Sequence, residues 1–168
     1  ASGAGGGRGG GGGAGGEEGG GGSGPPTIQG LPLVKPPYGR ITAMDMNKGE
    51  IVWQIGHGDT PDLVKNHPAL KGLDIPRTGW VGRIGTLVTK TLVVASESVT
   101  HVTPAGRRAS LFAYDKATGK QVGALAMPTQ ATGSPMTYMV NGRQHIAVAI
   151  GGPGYSAELL VFRVPSGS

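Results

Sequence analysis

The stretch Ala43-Met-Asp45-Met-Asn-Lys-Gly49-Glu-Ile-Val-Trp53 has a second version in Ala113-Tyr-Asp115-Lys-Ala-Thr-Gly119-Lys-Gln-Val-Gly123. In both, Asp follows Ala by two residues, Gly follows Asp by four, and a run typical of β-strands comes next. Asp can accept hydrogen bonds from the backbone N–H groups of a tight turn, and Gly adopts the positive φ that such a turn needs. Each copy therefore predicts a β-hairpin, and two copies with the same internal spacing predict a stacked or radial β architecture.

The interval between the two copies fits one propeller blade once an insertion is removed. The copies start about 70 residues apart, whereas a blade takes about 40–45 residues. Residues 57–83 contain many prolines, glycines and charges and no sustained alternation, which predicts an inserted loop of about 27 residues. Without this loop about 43 residues remain. Long loops in compact domains often carry function, so residues 57–83 are the first place to look for a site.

Strand signals dominate the remainder of the chain, and helix signals are nearly missing. Predicted strands cover residues 40–44, 50–55, 110–114, 120–125, 136–140, 144–150 and 158–164. Two more lie within 85–95, one before and one after Thr89–Thr91. Counted as four-stranded blades, they give half a blade, a complete blade over 84–126 and three strands of a third over 134–164. We therefore expect residues 25–168 to form two to two-and-a-half blades of a longer all-β propeller and to fold poorly alone.

Composition argues against several classes of function. Residues 1–24 are mostly Gly, which predicts a disordered linker or loop; a glycine-rich anion-binding loop would need a strand before it and a helix after it. Cysteine is absent, which excludes disulfides and thiolate chemistry. The net charge is +5, but the basic residues are scattered and aromatics are few, which favours solvated surface charge over nucleic-acid binding.

An ordered series of motifs carries a resemblance to a known family. The motifs are Pro36-Pro-Tyr38-Gly-Arg40-Ile-Thr-Ala-Met-Asp45, Leu111-Phe-Ala-Tyr-Asp115-Lys-Ala-Thr-Gly119-Lys, Gly133-Ser-Pro135-Met-Thr-Tyr138, Asn141-Gly-Arg-Gln-His-Ile and Gly151-Gly152. In this order they resemble the C-terminal region of dehydrogenases that depend on pyrroloquinoline quinone (PQQ), above all the glucose dehydrogenase-like branch. The resemblance runs from about residue 31 to residue 165.

For the fold, the resemblance implies an eight-bladed propeller whose blades are tied together by tryptophan-docking repeats of the form seen at 43–53. Trp53 would then wedge between neighbouring blades, and an aromatic of this size buries about 150–250 Å². Gly123 stands where the second repeat would carry Trp. We therefore expect that docking contact to be lost or replaced.

For the function, the resemblance implies oxidation of a sugar or an alcohol by hydride transfer to PQQ, assisted by Ca²⁺ or a similar divalent cation. It further implies a quinone or cytochrome as electron acceptor, the remaining blades of a parent chain as partners, and a periplasmic location, with any attachment to a membrane outside this chain. The catalytic Asp and the metal ligands of the family lie mostly upstream of this segment. No catalytic or metal-binding residue is therefore expected here.

The acidic and histidine residues of the chain fit this expectation. Asp45 and Asp115 are explained as turn residues, and Asp59, Asp62 and Asp74 match no catalytic Asp of the family. His57 and His67 lie in the long loop without a companion ligand cluster, which favours surface roles over a metal site.

The alternative function is a non-catalytic propeller that serves as a binding or assembly scaffold. Such a protein shares the repeated hairpins but needs neither the long loop nor the block from Pro135 to Tyr138. Both features are present, and they favour the enzyme.

The resemblance also points to a cofactor-binding segment. In related quinoproteins the loop that leads into the complete blade lies over the cofactor, and here it ends in Arg83, Gly85 and Thr86. PQQ carries three carboxylates, and an arginine such as Arg83 can bind one through two charge-assisted hydrogen bonds. Gly85 would let the backbone approach the ligand, and Arg77 and Trp80 are further candidates. The alternative is that both arginines are solvated loop cations and that Trp80 only packs against a blade.

Overall fold

The computed structural model describes residues 26–163, and β-strands make up nearly all of their regular structure. In chain order the strands are β1 (Thr27–Ile28), β2 (Leu31–Pro32), β3 (Arg40–Asp45), β4 (Glu50–Gly56), β5 (Thr86–Val88), β6 (Leu92–Ser96), β7 (His101–Thr103), β8 (Gly106–Asp115), β9 (Gln121–Met127), β10 (Met136–Val140), β11 (Arg143–Gly152) and β12 (Tyr155–Arg163). A short helix, α1 (Asp62–Lys65), and a 3₁₀ turn (Pro68–Leu70) lie between β4 and β5. The predicted Gly-rich segment 1–24 and the expected last strand residue, Val164, lie outside the described residues.

The strands form antiparallel sheets in the predicted grouping. Strands β3 and β4 make a separate hairpin. Strands β5, β6, β8 and β9 pair in that order to make a complete four-stranded blade, and β10, β11 and β12 make a third sheet. Two short elements were not predicted: the β1–β2 hairpin, and β7, which pairs with the first residues of β8. The chain is thus an all-β, partial propeller, as expected.

The two sequence repeats have the same local geometry. In each turn the Asp side chain accepts hydrogen bonds from the N–H groups two and three residues later, at 2.9 and 3.3 Å for Asp45 and at 3.1 and 2.9 Å for Asp115. Gly49 and Gly119 have φ angles of +71° and +72°. Both hairpins also shift register at the same position, directly after the Ala that opens the repeat. The assignment of both Asp residues to turns is confirmed.

Alternation along the complete blade sends side chains to two neighbours. On one face Val93, Ala95, Phe112 and Tyr114 pack with residues of the first hairpin: Ile41, Trp53 and Ile55. On the other face Val94, Ala109, Leu111 and Met127 pack with Val148 and Ile150 of β11. Because successive residues of a strand point to opposite faces, one blade serves both interfaces. The complete blade therefore lies between the first hairpin and the third sheet.

Trp53 docks the first hairpin onto the turn of the second repeat. Its Nε1 donates a hydrogen bond to the Lys116 carbonyl at 2.9 Å. Its ring lies so close to Gly119 that an added Cβ would be 2.8 Å from two ring carbons. At Gly123, by contrast, no described atom lies within 4 Å of an added Cβ. The first docking contact is present, and its counterpart is lost among the described residues.

No helix within residues 26–163 is both long enough and apolar enough to cross a membrane.

Candidate functional site

The chain between β4 and β5 leaves the first hairpin and returns to the point where it started. The backbone N–H of His57 donates to the Gly39 carbonyl at 2.9 Å, and the N–H of Trp80 donates to the His57 carbonyl at 2.8 Å. Tyr38 N–H donates to the Thr78 carbonyl at 2.6 Å. These bonds close the long loop at its base. The residues that follow Trp80 are thereby delivered to the start of the complete blade.

The end of this loop forms one side of a cleft of about 280 Å³. Arg83, Ile84 and Gly85 line this side together with Ser96, which lies beside Gly85 because Thr86 pairs with Ala95, and residues 131–134 line the other. The Thr132 N–H donates to the Ala149 carbonyl at 2.9 Å, which fixes the second wall to the third sheet. The cleft is therefore lined by Arg83 and by three residues that carry hydroxyl groups, Ser96, Thr132 and Ser134, and the two sides of the cleft are far apart in sequence.

Gly85 is required by a close contact within the protein. An added Cβ at this position would overlap the Ser134 hydroxyl and lie 2.6 Å from the Ser134 Cα. Real Cβ atoms do not approach other atoms this closely, so the loop or the 131–134 segment would have to move. The glycine thus lets the two walls of the cleft touch. In this structure the close approach that it permits is to Ser134.

The other loop residues singled out from the sequence lie elsewhere. Thr86 is an exposed residue that opens β5 and pairs with Ala95. Arg77 donates to Gln121 Oε1 at 2.6 Å, and its guanidinium lies 4.9 Å from the centre of the Phe112 ring. Arg77 therefore pins the loop to the blade on a face away from the cleft.

Trp80 also lies outside the cleft. Its half-buried ring meets the His101 ring edge-on at 5.7 Å and lines a separate, largely apolar cavity of about 280 Å³ with Tyr38 and Pro61. Of the predicted residues, the structure brings only Arg83 and Gly85 to the cleft.

The expected surface role of His57 is wrong. Its side chain is only 4% exposed, and its ring lies 5.6 Å from the Phe112 ring and 5.8 Å from the Tyr114 ring. The Nδ1 atom is 2.9 Å from the Tyr114 hydroxyl, and Nε2 is 3.1 Å from the Ser96 carbonyl. The reason is that backbone pairing with Gly39 continues the first hairpin past β4, which turns the imidazole into the interface with the blade.

Burial sets the protonation state of this buried pair. Removal from water lowers the pKa of His57 below its ordinary value of 6.5, against an opposing effect of the Ser96 carbonyl. Burial likewise raises the pKa of Tyr114 to about 12. The neutral imidazole then carries its proton on Nε2 and donates it to the Ser96 carbonyl, while Nδ1 accepts from the Tyr114 hydroxyl; this tautomer is assigned from the partners. His57 thereby contacts a residue that lines the cleft.

The side chains that line the cleft have a chemistry suited to a carboxylate-bearing ligand such as PQQ. The Arg83 guanidinium and the hydroxyls of Thr132 and Ser134 are donors of the kind that bind carboxylates, whereas Ser96 is almost fully buried. Among residues 26–163 no three His, Asp or Glu side chains come together. Asp59, in the long loop, is instead paired with Lys65 at 2.7 Å.

Sequence reasoning missed two serines that line the cleft, Ser96 and Ser134. Ser134 belongs to the Gly133-Ser-Pro135 motif that carried part of the resemblance, and this motif could have pointed to it. Ser96 had no such signal, because a serine at the end of a buried strand is common and only the paired register of β6 places it beside the loop.

Comparisons with known proteins identify the family of the chain. The family model described as "Glucose/ethanol/alcohol dehydrogenase, beta-propeller domain" and named for PQQ matches residues 23–146. The chain is 33% identical over 142 residues to the glycerol dehydrogenase large subunit of Gluconobacter oxydans (strain 621H), covering 81% of this chain and 18% of that protein. It is 30% identical over 129 residues to the quinoprotein glucose dehydrogenase of Escherichia coli (strain K12), covering 74% of this chain and 15% of that protein.

A third relative is quinoprotein glucose dehydrogenase A of Acinetobacter calcoaceticus, which is 28% identical over 125 residues, covering 74% of this chain and 14% of that protein. The chain thus spans less than a fifth of the length of each of these three relatives. The family model covers most of the chain, and the repeated hairpins, the docked Trp53 and the blade packing agree with it. The chain therefore belongs to the PQQ β-propeller family of glucose, ethanol and alcohol dehydrogenases.

Proposed function

We propose that this chain forms part of a PQQ-dependent dehydrogenase that oxidises a sugar or an alcohol, and that the cleft between Arg83 and Ser134 contacts the cofactor. The observation that carries the proposal is the meeting of two distant segments, the end of the long loop and the Gly133-Ser-Pro135 motif, in one polar cleft. The printed names of the relatives, which are quinoprotein glucose and glycerol dehydrogenases, support the same class of reaction.

The residues of the cleft would bind and orient the cofactor. Arg83 can hold a carboxylate through two parallel hydrogen bonds, and the hydroxyl groups opposite can donate to the same ligand from the other wall. When bound, the quinone would supply the hydride acceptor for the alcohol carbon of the substrate. The catalytic base and the ligands of Ca²⁺ or a similar cation would come from the rest of a longer parent protein.

The proposal extends to the cellular context of the parent protein. We place it in the periplasm, where electrons would pass from the reduced cofactor to a quinone or a cytochrome. The resemblance supports both points, and fractionation of cells that produce the parent protein tests the location.

The full-length protein tests the function directly. It is prepared without cofactor, incubated with PQQ and Ca²⁺, and assayed for dye-linked oxidation of glucose, glycerol and ethanol. We expect oxidation of at least one substrate only when PQQ is added, and none by residues 25–168 alone. A full-length protein that binds no PQQ and oxidises none of a broad set of sugars and alcohols would instead support the scaffold function.

A further inference from the structure

We propose that His57 is a positioning residue for the cleft: it ties the loop that carries Arg83 to the strand that carries Ser96. The identity of the ligand in this inference rests on the proposed function, whereas the tie itself rests on geometry alone. His57 touches none of the cleft volume directly, and it acts through the residues that do.

Every polar atom of His57 takes part in a hydrogen bond. Its backbone N–H and C=O bind Gly39 and Trp80, at 2.9 and 2.8 Å, and so hold both ends of the long loop. Its ring atoms Nε2 and Nδ1 bind the Ser96 carbonyl and the Tyr114 hydroxyl, at 3.1 and 2.9 Å, and so hold β6 and β8 of the blade. One buried residue therefore joins the base of the loop to two strands of the complete blade.

Two of the segments that line the cleft depend on this junction. Trp80, whose N–H binds the His57 carbonyl, is three residues before Arg83. Ser96, whose carbonyl accepts from the imidazole, lines the same cleft beside Gly85. A change at the imidazole would therefore alter the distance between the loop end and the end of β6. This distance sets where Arg83 lies relative to Ser96 in the cleft.

The packing around the junction leaves no room for a looser arrangement. Gly79 has a φ of +70°, and an added Cβ there would lie 2.7 Å from the His57 carbonyl oxygen. An added Cβ at Gly39 would lie 2.9 Å from the carbonyl carbon of Trp80. The two backbone segments cross in contact because both crossing residues lack a side chain. The imidazole thus connects the closely packed backbone at Gly39 and Gly79 to strands β6 and β8 of the blade.

Two amide substitutions separate the two ring hydrogen bonds. In His57→Gln the side-chain amide reaches the place of Nε2 and can still donate to the Ser96 carbonyl. In His57→Asn the shorter amide takes the place of Nδ1, can accept from Tyr114 and leaves the Ser96 carbonyl unpaired. Tyr114→Phe is the matched control, because it removes the other ring contact and keeps the bond to Ser96.

The variants are compared in the full-length protein by hydrogen exchange without ligand and by titration with PQQ. We expect His57→Asn to speed exchange of the amides of residues 80–86 and to weaken PQQ binding by about tenfold, the effect of one lost buried hydrogen bond. We expect His57→Gln and Tyr114→Phe to bind PQQ within about threefold of the wild type, since both keep the bond to Ser96.

The outcomes distinguish the tie from the proposed function. Unchanged exchange and unchanged PQQ binding in a folded His57→Asn protein would overturn the tie. If the wild type binds no PQQ, the proposed function fails. The amide exchange of residues 80–86, compared between the wild type and His57→Asn, then still tests whether His57 holds the loop to the blade. If His57→Asn does not fold, the wild type decides: the Trp80 amide should exchange as slowly as the amides of β6, and rapid exchange would overturn the proposal.

Discussion

At the scale of single residues, the two arginines of the long loop have different tasks. Arg77 is engaged with Gln121 and with the Phe112 ring, which lie outside the cleft. Arg83 is exposed and lines the cleft itself. Both come from the same loop, and from the sequence both were candidates for binding the cofactor. The structure makes them a natural pair for separating ligand binding from loop attachment.

Replacing Arg83 with Ala should weaken PQQ binding by the loss of a charge-assisted contact, about 1.5–3 kcal/mol. Calorimetric titration of the full-length protein would then show a dissociation constant raised about ten- to a hundredfold. Arg77→Ala is the control, and its PQQ affinity should stay within about threefold of the wild type. An unchanged titration for a folded Arg83→Ala protein would remove Arg83 from the site.

His57 should make the stability of the fold depend on pH in the mildly acidic range. Its pKa is lowered in the folded state, whereas the unfolded chain binds a proton near the ordinary value of 6.5. Below pH 6.5 the unfolded state therefore binds more protons, and the free energy of unfolding should fall as the pH falls toward the folded pKa. The Glu97 carboxylate raises and the Arg77 guanidinium lowers the pKa of His57, both less than burial does, and Tyr114 stays protonated throughout this range.

Urea denaturation of the full-length protein between pH 7 and pH 5 measures this dependence. His57→Gln has no group that titrates there, so its slope of stability against pH should be smaller than that of the wild type. Equal slopes for the two proteins would show that His57 does not contribute to the acid sensitivity.

At the scale of elements, the two copies of the repeated hairpin have the same turn sequence pattern but different contacts. Both turns need a glycine with positive φ, at +71° for Gly49 and +72° for Gly119. Only the second glycine also receives the docked ring of Trp53. The same turn chemistry therefore closes both hairpins. Only the turn at Gly119 also forms a contact between the first hairpin and the complete blade, through Trp53.

Gly119→Ala should cost more stability than Gly49→Ala. Both changes put a side chain at positive φ, which costs about 1 kcal/mol. At Gly119 the new Cβ would also lie 2.8 Å from the Trp53 ring, and forcing apart well-packed groups adds about 1–3 kcal/mol. Denaturant titration of both variants measures the difference. Equal losses would mean that the ring of Trp53 moves away at no cost.

At the scale of the whole molecule, the inner strands β6 and β8 of the complete blade are buried, whereas the edge strand β9 of the same blade and strand β12 of the third sheet expose apolar side chains. On β9 Val122 is 57% exposed and Leu125 is 46% exposed, and on β12 Leu159 is 66% exposed. Exposed apolar side chains on sheets favour association with other chains. Leu160 packs towards the complete blade, so Leu159 lies on the opposite face of the third sheet, where a further blade would pack.

Residues 25–168 expressed alone should therefore associate or aggregate. Size-exclusion chromatography should show species larger than a monomer, and circular dichroism should show a broad thermal transition. A soluble monomer with a sharp, cooperative transition would contradict this expectation and would show that the described blades are stable by themselves.

Much of this protein could be predicted from the sequence because the relevant physics is local. The Asp and Gly of each repeat define a turn within five residues, and the strand signals over 84–126 predict a complete blade. Only the tertiary structure decided the rest. His57 looks like a surface residue in a polar loop, and it is buried because strand pairing extends past β4. Ser134 meets Gly85, beside Arg83, because separate segments fold back on one another, and such a long-range meeting leaves no local pattern in the sequence.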